Sequence, residues 1–167
     1  MKNAIYSFSV ILALLLQGCG AYSFTGADTG SAETFQVNFF RNEAQLIEPG
    51  IDNDFTNLLQ DLIQNQTNLG LVTSGGDLTY EGEITAYRIS PMTATADQRA
   101  AQNRLTITVN VRYFNRLDPD KDFERTFSFF FDYPADQQLI GATKDLAIET
   151  IFERLTQDIF NASLANW

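Results

Sequence analysis

An alternation of apolar and polar residues recurs three times between Leu78 and Tyr133. In LTYEGEITAYRI, Leu78, Tyr80, Gly82, Ile84 and Ala86 share one face, and Thr79, Glu81, Glu83, Thr85 and Tyr87 share the other. In RLTITVNVRYFN, Leu105, Ile107, Val109, Val111 and Tyr113 oppose Arg104, Thr106, Thr108, Asn110 and Arg112. In FERTFSFFFDY, Phe123, Arg125, Phe127, Phe129, Phe131 and Tyr133 oppose Glu124, Thr126, Ser128, Phe130 and Asp132. A period of two marks a strand buried on one side and wet on the other. The three segments therefore predict one amphipathic sheet with the first-named residues toward the core. Phe35, Val37 and Phe39, alternating with Gln36 and Asn38, predict a further strand, and Asn68 to Thr73 predicts a short edge strand.

Two segments carry the helical period instead. After Glu48, Pro49 and Gly50, the stretch IDNDFTNLLQDLIQNQ places Ile51, Phe55, Leu58, Leu59, Leu62 and Ile63 along one stripe, with Asp52 and Asp54 near the start, where they suit the helix dipole. From about Thr143 to Ala165, Ala147, Ile148, Ile151, Phe152, Leu155, Ile159 and Phe160 form a second stripe. Two amphipathic helices and one amphipathic sheet satisfy each other when both helices cover the same sheet face. The predicted fold is α+β: a two-layer sandwich with two helices packed on one face of a mixed, mainly antiparallel sheet of four to five strands.

The amino terminus follows another logic. Lys2 precedes an apolar run through Val10 to Leu16, which ends at Gln17, Gly18 and Cys19. A basic start, an apolar centre too short to span a bilayer and small residues at the cut describe a secretory signal peptide. Leu16 three places before the single cysteine, with Gly18 immediately before it, resembles a bacterial lipobox. Residues 1–18 are thus expected to be removed and Cys19 to become a lipidated first residue, carrying diacylglycerol and an N-acyl chain such as palmitate. Several acyl chains make membrane attachment firm, because each buried methylene contributes ~0.8 kcal/mol. Gly20 after the cysteine, rather than Asp, permits an outer-membrane destination on the periplasmic side. Residues 19–33 read as a flexible tether, and residues 34–167 as a single domain.

Composition removes several function classes. The 167 residues carry a net charge of -10, and all 21 acidic side chains follow Cys19, so the chain repels nucleic acid phosphates. There is no histidine, which takes away the commonest general base and metal ligand. No catalytic triad or metal cluster can be assembled, and no cofactor is expected beyond the lipid. Asp118 to Asp122 starts like a calcium loop, but Phe123 and Phe129 stand where that loop needs Gly and Glu, so a hairpin turn is expected. Ser74, Gly75 and Gly76 lack the Lys of a phosphate loop and read as a turn. The acceptor-like Asn65 and Asn161 sit in or beside helices. Glu81 and Glu83 share a strand face and form a candidate carboxylate pair for glycan hydrolysis, although Arg104 and Arg112 on the next strand offer ordinary cross-strand ion pairing.

Several segments together resemble a known family. CGAYSFTG at Cys19 to Gly26, GGDLTYEGEITAYRISP at Gly75 to Pro91, NRLTITVNVRYFN at Asn103 to Asn115, DPDKDFERTFSFFFDY at Asp118 to Tyr133 and the NASLANW end are similar to the LptE family of lipopolysaccharide-assembly lipoproteins. The resemblance implies an outer-membrane lipoprotein subunit of the lipopolysaccharide translocon. It would plug an LptD-like β-barrel, assist that barrel's assembly, and have no enzymatic activity. It also implies contact with lipopolysaccharide through basic residues, for which Arg88, Arg99 and Arg104, in or beside the segment Ser90 to Asn103, form the best available cluster. Competing readings are an accessory lipoprotein of another envelope secretion or assembly complex, and a cell-wall glycan hydrolase using Glu81 and Glu83.

Overall fold

The computed structural model describes residues 27–92 and 101–165. Along the chain lie β1 (Thr34–Val37), β2 (Arg41–Asn42), α1 (Ile51–Gln66), β3 (Gly70–Leu71), β4 (Leu78–Met92), β5 (Gln102–Asn115), a 3-10 turn (Pro119–Lys121), β6 (Phe123–Pro134) and α2 (Gly141–Leu164). The strands form one sheet in the order β3-β1-β4-β5-β6, with β2 also paired to β4. Contacts to β1, β3 and β2 from β1 or β4 are parallel, and the β4-β5-β6 meander is antiparallel. The architecture is the expected two-layer α+β sandwich, with six strands rather than four or five because β1 and β2 are two pieces of one interrupted line along β4.

That interruption has a physical cause. Val37 pairs with Tyr80 and Arg41 with Glu83, so four steps on one strand oppose three on the other, which is a bulge of one residue. The bulge corrects the expected alternation: Phe39 turns out to solvent and Phe40 is fully buried. The Phe40 amide, released from regular pairing, donates to Thr56 Oγ1 at 3.1 Å, and that hydroxyl donates to the Asp52 carbonyl at 2.7 Å. A buried threonine in an apolar helix stripe is thereby explained. Gly82 meets the same ring from the other side: a Cβ there would run into the Asn110 carbonyl oxygen and come within 2.7 Å of Phe40 Cε1.

A second bulge corrects β4. Ile84 pairs with Val109 but Ala86 with Thr108, so Thr85 is an extra residue and the face assignment reverses beyond it. Tyr87, expected on the wet face, is buried, and Ala86 leaves the core. Burial pushes the Tyr87 hydroxyl up to about 12.

Both helices cover the same sheet face. Helix α1 begins after Gly50, whose φ of 91° lies in the left-handed region that favours glycine; it packs over β1, β2 and β3, while α2 lies over β5 and β6. Edge-to-face rings tie the layers together, Phe40 to Phe55 at 5.2 Å and Phe55 to Phe152 at 5.1 Å. Tyr80, fully buried, donates to Ser163 Oγ at 2.9 Å, and burial raises its hydroxyl well above the ordinary tyrosine value. Leu58, Leu62 and Ile148, expected in the helix stripes, are half-buried at their margins.

Candidate interaction surface

With both helices on one side, the opposite face of the β4-β5-β6 meander is open. Register decides what it displays: Glu81 faces Arg112, Glu83 faces Asn110, Arg112 faces Glu124, Thr108 faces Ser128, Thr106 faces Phe130 and Arg104 faces Asp132. The centre is a hydroxyl ladder, in which Thr108 and Ser128 are 2.9 Å apart. Phe114 and Phe130 are exposed toward its two ends.

Arg112 gathers three carboxylates. Its Nε donates to Glu81 Oε1 at 3.1 Å, its two Nη atoms donate to Glu83 at 3.0 and 3.2 Å, and Glu124 Oε1 lies 3.9 Å away. Asn110 Nδ2 donates to Glu83 at 3.0 Å and to Glu124 at 2.9 Å. The Arg112 guanidinium beside Glu83 holds its carboxyl below the usual range, and Arg112 is raised in turn, most by Glu83. Both carboxylates are engaged by Arg112, so the Glu81 and Glu83 pair is a structural ion cluster rather than a free acid and base, and the hydrolase reading falls. Of the two arginines expected to pair with these glutamates, only Arg112 does.

Arg104 serves a different partner. It donates from Nε and Nη2 to the two Asp132 oxygens at 2.7 and 2.8 Å, and its guanidinium lies 3.5 Å from the centre of the Phe130 ring. Arg104 lowers Asp132 and is itself raised by it. Arg88 points to solvent from the same open face, opposite Thr106, and has no ion pair among the described residues. The fold thus brings Arg88 and Arg104 onto one face, with Arg104 already neutralised. Arg99 and Cys19 lie outside the described residues.

The two ends of the sheet differ. At one, Leu78 pairs with Asn115, and Asp77 accepts from Arg116, from Thr34 Oγ1 at 2.8 Å and from the Glu33 and Thr34 amides at 3.1 Å. The Arg116 guanidinium, with Thr34 and the Glu33 amide, holds Asp77 well below the usual carboxylate range. The predicted SGGD turn therefore does more than turn. Beside it, Ala27 pairs with Ala165, the Asp28 amide donates to the Leu164 carbonyl at 2.6 Å, and Lys121 reaches Asp28 at 3.3 Å. The Asp118 to Asp122 segment is the expected hairpin turn, with Asp122 accepting from the Asn115 amide at 2.7 Å. At the other end, Met92 pairs with Gln102. The 14 residues of β5 separate these ends by ~45 Å at the usual strand rise.

A groove of about 650 Å³ lies in the helical layer between Leu58, Leu62, Phe129 and Arg154. No group of His, Cys, Asp and Glu suited to a metal occurs among the described residues. No described helix is long and apolar enough to cross a membrane.

No curated protein matches the chain. Among solved structures, protein CT253 of Chlamydia trachomatis is similar at a TM-score of 0.53 and 10% identity, covering 81% of this chain and 100% of that one. An uncharacterised lipoprotein B from Nitrosomonas europaea is similar at 0.50 and 14% identity, covering 86% and 88%. Protein XCC0632 of Xanthomonas campestris is similar at 0.53 and 10%, covering 80% and 84%. At these identities the likeness is one of fold. A sequence profile described as "LptE: Lipopolysaccharide-assembly" matches residues 32–163, most of the chain and all but the last residue of the sandwich. The chain therefore belongs to the LptE family, a non-enzymatic family of envelope lipoproteins of the lipopolysaccharide-assembly type.

Proposed function

We propose that the protein is an outer-membrane subunit of the lipopolysaccharide translocon, held on the periplasmic side by acyl chains on Cys19, seated inside an LptD-like β-barrel and assisting that barrel's assembly. The observation that carries the reading is the open sheet face, which is polar, hydrogen-bonded within itself and uncovered by either helix. A barrel lumen is polar, and such a face suits it better than it suits lipid or an apolar partner. Of the expected tether, residues 19–33, Ala27 and Asp28 are already attached to the end of α2, so the remainder limits where the domain can sit. Eight peptide steps from Cys19 to Ala27 reach no more than ~28 Å when extended. The Ala27, Asp28 and Lys121 end is thus held within that reach of the membrane surface.

Lipopolysaccharide contact through Arg88, Arg99 and Arg104 belongs to this reading. Arg88 is the described member free to meet a phosphate, whereas Arg104 would have to share its charge with Asp132. The test is co-purification of the tagged full chain in mild detergent, beside a Cys19→Ser variant labelled with palmitate. A large β-barrel recovered with the wild type, and label lost from the variant, are expected. Recovery of no barrel overturns the barrel reading, and label retained on the variant overturns the anchor. Unchanged binding of lipopolysaccharide by a variant with all three arginines reversed to Glu removes the contact.

A further inference from the structure

Among the described residues the sheet has four stretches of strand edge without a neighbour, the two-residue β2 among them, and they are unequal. β3 is two residues long. The part of β4 beyond β2 is interrupted by the Thr85 bulge and carries Pro91. β6 pairs only with β5 among the described residues, and its register runs without a break from Tyr113 opposite Phe123 to Gln102 opposite Pro134. Folded proteins protect such an edge with lysine, internal proline, a bulge or shortness. β6 has none of these: it is 12 residues long, with no Lys, with Pro only at its last position, and rich in Phe, so its protection is limited to charge, Glu124 and Asp132 on the open face and Arg125 on the apolar side. Every second backbone N–H and C=O along it faces outward, a template for strand addition.

Charge identifies what the template fits. Arg125 is exposed on β6, lies 5.6 Å from the Phe123 ring centre and 6.0 Å from that of Phe127, and has no ion pair among the described residues. Around it, the core-facing side of β6 holds Phe123, Phe127, Phe129, Phe131 and Tyr133 and no carboxylate. A second copy of this chain, paired antiparallel through a two-fold axis normal to the sheet, could place only an aromatic ring or a second Arg125 opposite Arg125. A different strand can place an acid there and apolar side chains beside the phenylalanines. We propose that the outer edge of β6 docks an extended segment of the barrel partner, which adds a seventh strand to the sheet and sets a carboxylate opposite Arg125. This inference rests on the barrel reading above.

The experiment compares the free full chain with its co-purified barrel complex by hydrogen–deuterium exchange resolved to single amides. Strand addition slows the outward amides of β6, every second one between Phe123 and Tyr133, by at least ~100-fold, and leaves the two β3 amides unchanged. A complex in which the β6 amides exchange as in the free chain overturns the inference and spares the barrel reading; recovery of no complex overturns both. A dimer of the free chain with protected β6 amides replaces the partner strand with a second copy. In parallel, Arg125→Glu should lower barrel recovery about tenfold while Arg41→Glu, on the exposed side of β2, should not. Equal recovery from the two variants removes the carboxylate from the proposal. The exchange measurement uses wild-type protein and does not depend on how either variant folds.

Discussion

Replacing Arg112 by methionine should destabilise the protein at pH 7 and progressively less as the solution is acidified. Methionine keeps most of the aliphatic stem and removes the guanidinium, so the change isolates charge from packing. Three carboxylates then lose their shared cation, and two of them, Glu81 and Glu83, sit two residues apart on β4. An exposed ion pair contributes ~0–1 kcal/mol, and breaking a fully buried one costs ~3–5 kcal/mol. Side-chain exposures of 31% for Arg112, 20% for Glu83 and 36% for Glu81 lie between these limits. Discounted for solvent screening, the loss at pH 7 should be ~1–2 kcal/mol. The pH dependence follows from Glu83, whose carboxyl is held below its ordinary range, first by Arg112. A depressed carboxyl contributes stability that is complete above its unfolded value, about 4.3, and is lost as pH falls through the folded value. Urea unfolding of both proteins at pH 7 and in steps to about pH 3 reads this directly. The difference between them should shrink toward zero in acid. A variant as stable as the wild type at pH 7, or a difference independent of pH, would refute the cluster's electrostatic role.

Gly82→Ala should cost ~1–3 kcal/mol in a thermal or urea melt through overpacking, and Phe40→Leu in that background should restore only part, because the Asn110 carbonyl still blocks the new Cβ. Deleting Thr85 should leave the fold intact and cost no more than ~1 kcal/mol, because it removes the extra residue and leaves Ala86 opposite Thr108 and Tyr87 opposite Ile107 in regular pairing. A deletion variant that fails to fold, or melts far below the wild type, would refute the reading of Thr85 as a one-residue bulge.

Much of this architecture is legible because period-two and period-3.6 patterns are local. Helix α1 occupies the IDNDFTNLLQDLIQNQ stretch from end to end, and the apolar face of β5 is buried from Leu105 to Tyr113 as its alternation requires. The errors fall at Phe39, Phe40, Ala86 and Tyr87, and they share one cause. A bulge shifts the phase of everything after it, yet it is created by the partner strand and the helix above, which no local window contains. Thr56 shows the same dependence, since its burial follows from the Phe40 amide that only the folded bulge leaves unpaired. At the surface, residue types were readable and partners were not. Arg104 and Arg112 both looked available to Glu81 and Glu83, but the β4-β5 register puts Ser90 opposite Arg104 and the β5-β6 register puts Asp132 there. Cross-strand pairing is decided by register, and register was not available until the hairpins closed.

Pairing also explains how a chain of net charge -10 presents two unlike sides. Arg104, Arg112, Arg116, Lys121, Lys144 and Arg154 are each engaged by a carboxylate of the same molecule, so among the described residues the unengaged cations are Arg41, Arg88 and Arg125. On the helical side Asp54, Asp61, Asp145 and Glu149 line one groove without a cation among its residues. On the sheet side the four carboxylates of Glu81, Glu83, Glu124 and Asp132 are offset by the three guanidinium groups of Arg112, Arg104 and the free Arg88. A phosphate-bearing ligand approaching the helical layer meets fixed negative charge, which repels it within about a Debye length, ~8 Å at physiological salt. The same ligand approaching the open sheet meets near-neutral polar surface with its free guanidinium, Arg88, in the half of the sheet toward Met92 and Gln102. An anionic ligand is therefore steered to the sheet side and away from the acidic helices.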